Sequence, residues 1–258
     1  MNRIEATFKK LRRQHKKAFI PYIMAGDPSP EKTRETVLLF ARCGADLVEL
    51  GVPFTDPLAD GPTIQRAAER ALQAAVTLRT VIGLVRELRK DTEIPLILMT
   101  YYNPVYKYGD AMFVRDAVEA GVDGVIIPDL PVDEAGDLMR LSKEAGLATI
   151  FLLAPTSTED RMKKAAKASQ GFIYYVSMTG ITGSRLSVDA SLKESLEAVR
   201  RLTKKPVAVG FGISTPEEAV SVAEFADGII VGSALVKRLH EAPEGLEEFV
   251  LELRRAIR

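Results

Sequence analysis

Glu49 is the charge set well inside an apolar run of this chain, Leu47–Val52, and two more carboxylates follow it closely, Asp56 and Asp60. The intervening loop is stiffened by Pro53, Pro57 and Pro62. A buried carboxylate is costly unless it is paired or protonated. Pairing would need a Lys or Arg from another strand, and the apolar runs and their edges contain almost none. Glu49 is therefore expected to have a raised pKa and to exchange a proton near neutral pH. A strand-end acid facing an acidic loop can hold two carboxyls with different tasks. Spacing alone leaves Asp56 and Asp60 open between catalysis and fixing the turn, since Asp-Gly-Pro is common turn chemistry.

The second chemical signal is a pair of glycine turns. Val209-Gly210-Phe211-Gly212-Ile213-Ser214 and Val231-Gly232-Ser233-Ala234-Leu235 each close an apolar run. Backbone N–H groups at such turns, with a short helix N-terminus, make a phosphate cradle. Tight packing at strand ends is the alternative. The glycine-bearing stretch 178–188 is long for an α/β connection and reads as a lid over the substrate, or as a plain surface loop.

Other chemistries lose their residues. Neither of the two histidines, His15 and His240, falls at a strand end, which removes the ligands for a metal-dependent epimerase. No lysine lies within a strand, which disfavours a Schiff-base aldolase. The single cysteine, Cys43, excludes an internal disulfide and a thiolate metal site, and reads as a small core residue.

These groups must be positioned by a scaffold. Eight apolar runs, Phe19–Ala25, Leu47–Val52, Leu96–Tyr102, Gly124–Pro128, Ala148–Ala154, Phe172–Ser177, Val207–Phe211 and Gly228–Val231, alternate with amphipathic stretches. Most lack period-2 alternation, as expected of parallel strands buried on both faces. Ser29, Asp133, Thr158 and Thr215 are expected helix caps. Eight βα units in 258 residues predict an α/β (β/α)8 TIM barrel as one domain over 1–258. An extra N-terminal helix precedes the barrel, and a short phosphate-binding helix follows strand 8. An open doubly wound sheet is weakened by the lack of a Gly-x-Gly-x-x-Gly turn after the first strand. Asp46, Asp123 and Asp227 fall at strand starts, where charge serves stability.

Acidic and basic residues balance at 35 each, so nothing global suggests nucleic acid or an anionic membrane as partner. Lys9, Lys10, Arg12, Arg13, Lys16 and Lys17 read as a solvated helix face. Without a signal peptide or a membrane-length apolar run, the expected location is cytoplasmic.

At the level of motifs the chain resembles the α subunits of tryptophan synthase over essentially its whole length. The likeness is carried by Gly26-Asp27-Pro28, the long run Glu49–Pro62, Tyr101-Tyr102-Asn103-Pro104, Pro128-Asp129-Leu130-Pro131, Thr179–Gly183, Gly210–Ser214 and Gly232-Ser233-Ala234. The run around Glu49 is highly specific. The resemblance implies retro-aldol cleavage of indole-3-glycerol phosphate to indole and glyceraldehyde 3-phosphate. It implies Glu49 as general acid/base and Asp60 as the partner of the indole N–H. Tyr22, Tyr174, Thr182 and Phe211 would contact substrate, with Tyr22 where relatives often carry phenylalanine. Gly183, Gly212, Gly232 and Ser233 would hold the phosphate. The same likeness implies an α2β2 complex with a β subunit that carries pyridoxal phosphate, no cofactor in this chain, and passage of indole between subunits. Pro53–Asp56, Asn103–Pro104 and Pro131–Asp133 would be contact segments. Two other functions fit the residues: a stand-alone indole-3-glycerol phosphate lyase, and a non-catalytic partner that activates a β subunit.

Overall fold

The structure is a computed structural model that describes residues 2–176, 190–210 and 212–257. The first half runs α1 (Arg3–Arg13), β1 (Ala18–Met24), α2 (Pro30–Arg42), β2 (Val48–Gly51), α3 (Pro62–Gln73), α4 (Leu78–Leu88), β3 (Leu96–Met99), α5 (Tyr102–Tyr108), α6 (Asp110–Ala120) and β4 (Gly124–Ile126). The second runs α7 (Gly136–Ala145), β5 (Ala148–Ile150), β6 (Leu152–Leu153), α8 (Glu159–Ala168), β7 (Ile173–Val176), α9 (Ala190–Leu202), β8 (Val207–Gly210), α10 (Pro216–Ala223), β9 (Gly228–Val231), α11 (Ser233–Glu241) and α12 (Leu246–Ala256).

All strand pairs are parallel, in the order β5-β4-β3-β2-β1-β9-β8-β7-β6. The sheet closes because β5 and β6 are halves of one strand. β5 pairs with β4, β6 pairs with β7, and the Phe151 carbonyl between them accepts the Tyr174 N–H at 3.2 Å. The break has a local cause: the Phe151 N–H donates to the Ser169 hydroxyl at 3.1 Å instead of to a strand neighbour. The predicted fifth strand, Ala148–Ala154, is thus interrupted, and the result is a (β/α)8 barrel.

Two apolar layers hold it. One lies between strands and outer helices and includes Phe40, Val81, Phe113, Val199 and Val250. The other fills the barrel interior with Ile20, Leu47, Ile97, Ile126, Ile150, Phe172, Ala208 and Ile230. Helix α1 supplies Ile4, Phe8 and Leu11 to that interior cluster, so it closes the barrel floor. Its basic residues Lys9, Lys10, Arg12 and Arg13 face solvent, as does Lys16 after it, whereas Lys17 is half-buried because its Nζ donates to the Ala226 carbonyl at 2.7 Å. Since strand residues alternate sides, Glu49 follows Leu47 on the interior face of β2.

Caps form at Ser29 and Thr158, and Thr215 with Glu218 forms a full capping box. Asp133 does not cap: α7 starts at Gly136 behind Ala135, and Asp133 instead meets Lys164 at 3.0 Å. Helix α5 was not expected. It is short, and Pro104 sits in its first turn, where the missing N–H costs nothing.

Three carboxylates close the strand starts in one way. Asp46 accepts the N–H of Phe19, Asp123 that of Leu96, and Asp227 that of Val207, each at 2.9 Å. Each also meets an arginine: Arg254 at 3.2 Å, Arg89 at 2.6 Å and Arg200 at 3.4 Å respectively.

Candidate active site

At the other end of the barrel a cavity of about 490 Å³ opens among the strand ends. That volume suits a small organic phosphate. Its lining draws on Tyr22 of β1, Asp60 and Gly61 before α3, Tyr174 of β7, Gly210 at the end of β8 and Gly212 after it, and Gly232 and Ser233 at the start of α11. Met99 of β3, Pro128 after β4, Leu152 of β6 and Arg161 of α8 also contribute, so the ring of strands converges on one space.

Glu49 lies just behind this lining. It stands level with Tyr22 in the β1–β2 register and is 1% exposed. No ion pair reaches it among the described residues, and its Oε1 finds no hydrogen-bond partner there. Burial, with the Asp60 carboxyl adding to it, pushes its pKa from 4.5 to about 8. A protonated carboxyl is the state that such an unpaired, desolvated group prefers.

Asp60 is half-buried. Burial raises its pKa to about 6, against the pull of a hydrogen bond from the Tyr101 hydroxyl at 3.1 Å. Its loop is held closely. The Asp60 N–H reaches the Pro57 carbonyl at 3.0 Å, and the Gln65 side chain donates to the Asp60 carbonyl at 2.9 Å. Asp56 takes no part in the cavity; it is exposed and accepts the hydroxyl of its neighbour Thr55 at 2.6 Å. The phenols of Tyr22 and Tyr174 are pushed well above their ordinary range, by burial first and then by Glu49 and Asp60.

Two glycine positions differ in purpose. A Cβ at Gly210 would come within 2.7 Å of the Tyr174 ring, so this glycine makes room for the tyrosine. A Cβ at Gly212 would meet nothing within 4 Å among the described residues. Ser233 opens α11 directly after Gly232, and both line the cavity, so the start of that helix, which has no side-chain cap, borders it.

The site therefore brings together Glu49, Asp60, Tyr22, Tyr174, Gly212, Gly232 and Ser233. Thr182, Gly183 and Phe211, and with them the expected lid 178–188, lie outside the described residues. Sequence reasoning missed Tyr101 as the partner of Asp60 and Arg161 as a cation on the cavity wall. His15 and His240 are exposed, and Cys43 is buried. Among the described residues no group of three or more His, Cys, Asp or Glu could hold a metal ion. None of their helices is long and apolar enough to cross a membrane.

Residues 8–257 match the family described as tryptophan synthase alpha chain. The tryptophan synthase alpha chain of Geotalea daltonii is 51% identical over 241 residues, covering 93% of this chain and 91% of that one. That of Synechocystis is 48% identical over 263 residues and is covered, like this chain, in full. The crystal structure of tryptophan synthase subunit alpha from Legionella pneumophila superposes with a TM-score of 0.93 at 44% identity, over 100% of this chain and 98% of that one. A structure of Mycobacterium tuberculosis tryptophan synthase gives 0.93 at 37% identity, over 100% and 98%.

Proposed function

The chain belongs to the tryptophan synthase alpha chain family, and from that membership we infer that it is the carbon–carbon lyase of that enzyme. It cleaves indole-3-glycerol phosphate to indole and glyceraldehyde 3-phosphate. What carries the assignment of the chemistry to residues is the pair Glu49 and Asp60, two acids at one cavity, without a cation paired to either among the described residues and with pKa values near 8 and 6.

The reaction needs a proton delivered to C3 of the indole and a proton removed from the hydroxyl on the carbon next to the ring. Near pH 7 Glu49 is protonated and can supply the first. Protonation at C3 turns the ring into an indolenine with positive charge at the N–H. Asp60, ionised above about pH 6, stabilises that charge. The Glu49 carboxylate then takes the hydroxyl proton, the aldehyde C=O forms, and the C–C electron pair returns to C3. Indole regains aromaticity and Glu49 ends as it began. One carboxyl thus serves both proton transfers, which requires a pKa near the working pH.

The phosphate belongs at Gly212, Gly232 and Ser233, with Gly183 completing the cradle. Gly212 leaves the backbone open to a close anion, and the start of α11 offers N–H donors. Tyr22 and Tyr174 wall the indole, with Thr182 and Phe211 as further substrate contacts. The protein acts as one barrel over 1–258, in the cytoplasm.

The partner is a β subunit that holds pyridoxal phosphate, in an α2β2 complex. An apolar product released into water would be lost, so direct transfer between subunits follows from its chemistry. Exposed apolar groups such a contact needs are present: Leu58, on the cavity wall, is 94% exposed and Tyr106 of α5 70%. They flank the contact segments Pro53–Asp56 and Asn103–Pro104, with Pro131–Asp133 beyond.

The test is indole release from indole-3-glycerol phosphate by the full chain, with and without a tryptophan synthase β subunit. Slow cleavage alone and a large gain with the β subunit are expected. Equal, fast cleavage in both would point to a free-standing lyase. No cleavage in either would leave only a non-catalytic partner.

A further inference from the structure

We propose that Tyr101 is a positioning residue that orients the Asp60 carboxylate and holds it ionised for the reaction; this rests on the role given to Asp60 above. The Tyr101 hydroxyl donates to Asp60 Oδ2 at 3.1 Å and accepts the Ala59 N–H at 2.9 Å. Because the Ala59 N–H occupies a lone pair of the phenol, the O–H hydrogen is directed at Asp60. One hydroxyl thus sets both the backbone of residue 59 and the side chain of residue 60. The ring itself is fixed. It is buried, stacks on Phe54 at 5.2 Å, and sits at the N-terminal end of α5. Through this hydroxyl Tyr101 acts on Asp60, which itself lines the cavity.

A donor to a carboxylate stabilises its ionised form, and this bond does lower the Asp60 pKa against its burial. The other titratable groups that face the pair come from every side: Glu49 on β2, Tyr22 on β1, Tyr174 on β7, and Asp129, which bears on Tyr101. Arg161 of α8 lines the same cavity but forms no ion pair with Asp60. Tyr101 is therefore the contact among the described residues that counters burial at Asp60.

The test is steady-state cleavage of indole-3-glycerol phosphate across pH 5–9 by the full chain and its Tyr101→Phe, Asp60→Asn and doubly substituted variants. Tyr101→Phe keeps the stacked ring. It is expected to lower kcat about ten- to a hundredfold, the worth of a hydrogen bond to a charged group. KM should hold, the acidic limb near pH 6 should move up, and the double variant should be no slower than Asp60→Asn. A 3-fluorotyrosine at position 101, a stronger donor, should move the limb down. An unmoved limb, or losses that multiply in the double variant, would overturn the proposal and leave a purely structural tyrosine. If Asp60→Asn itself keeps full rate and the same limb, the role of Asp60 fails first, and this inference with it.

Discussion

At the floor of the barrel Asp46, Asp123 and Asp227 each accept a strand N–H and meet an arginine; at the mouth, Glu49 and Asp60 are paired with no cation among the described residues. Asp123 and Glu49 are both nearly inaccessible, at 4% and 1%. Burial raises the pKa of both. For Asp123, however, the Leu96 N–H, Arg89 and Arg3 pull it back, whereas at Glu49 the Asp60 carboxyl adds to the rise. The same residue class thus fastens strands at one end and stores a transferable proton at the other. Only the neighbours differ.

The sharpest way to break this contrast is to remove the carboxyl at each end. Glu49→Gln should cut cleavage about 10²–10⁴-fold, the range for a lost general acid/base, with the variant folded by circular dichroism. Asp123→Ala should do the reverse. It leaves Arg89 buried without its partner, and the loss should be about 3–5 kcal/mol in urea unfolding. The folded remainder should keep its kcat. If the two phenotypes were exchanged, the assignment of the two ends would be wrong.

Stability against pH sharpens the comparison further. The folded pKa of Glu49 is raised from 4.5 to about 8, so the folded state holds a proton that the unfolded chain releases. Wild-type stability should therefore fall as pH rises through that window, by about 2–4 kcal/mol from Glu49, and Glu49→Gln should remove that part, leaving the smaller fall that the raised Asp60 contributes below about pH 6. Urea midpoints at pH 5 and pH 8 measure the difference. The smallest effect concerns the phosphate end. Among the described residues Gly212→Ala has space for its methyl, so unfolding should be unchanged, while KM should rise about tenfold as the backbone is held off the anion.

Much of this was legible in the sequence. The eight apolar runs mark the barrel because each strand carries its own hydrophobic signal. Glu49 stood out because a charge inside such a run is rare. The floor carboxylates were placed by position, since strand starts face that end. Asp60 was ambiguous by spacing and gained its role only from the resemblance. Tyr101 could not be found: its hydrogen bond spans 41 positions and no local pattern announces it. The break at Phe151 depends on Ser169, 18 residues on, and Asp133 looked like a cap until Lys164 claimed it. Contacts of this kind exist only once the chain has folded, so periodicity does not encode them.

The most direct measurement is the titration of Glu49 itself, by 13C NMR of labelled glutamate carboxyls in the full chain with Glu49→Gln to assign the signal. The expected midpoint is near 8 and falls when Asp60 is replaced by Asn. A midpoint near 4.5 would mean that Glu49 is ionised at neutral pH, and it would contradict the view that the barrel mouth stores a proton for the reaction.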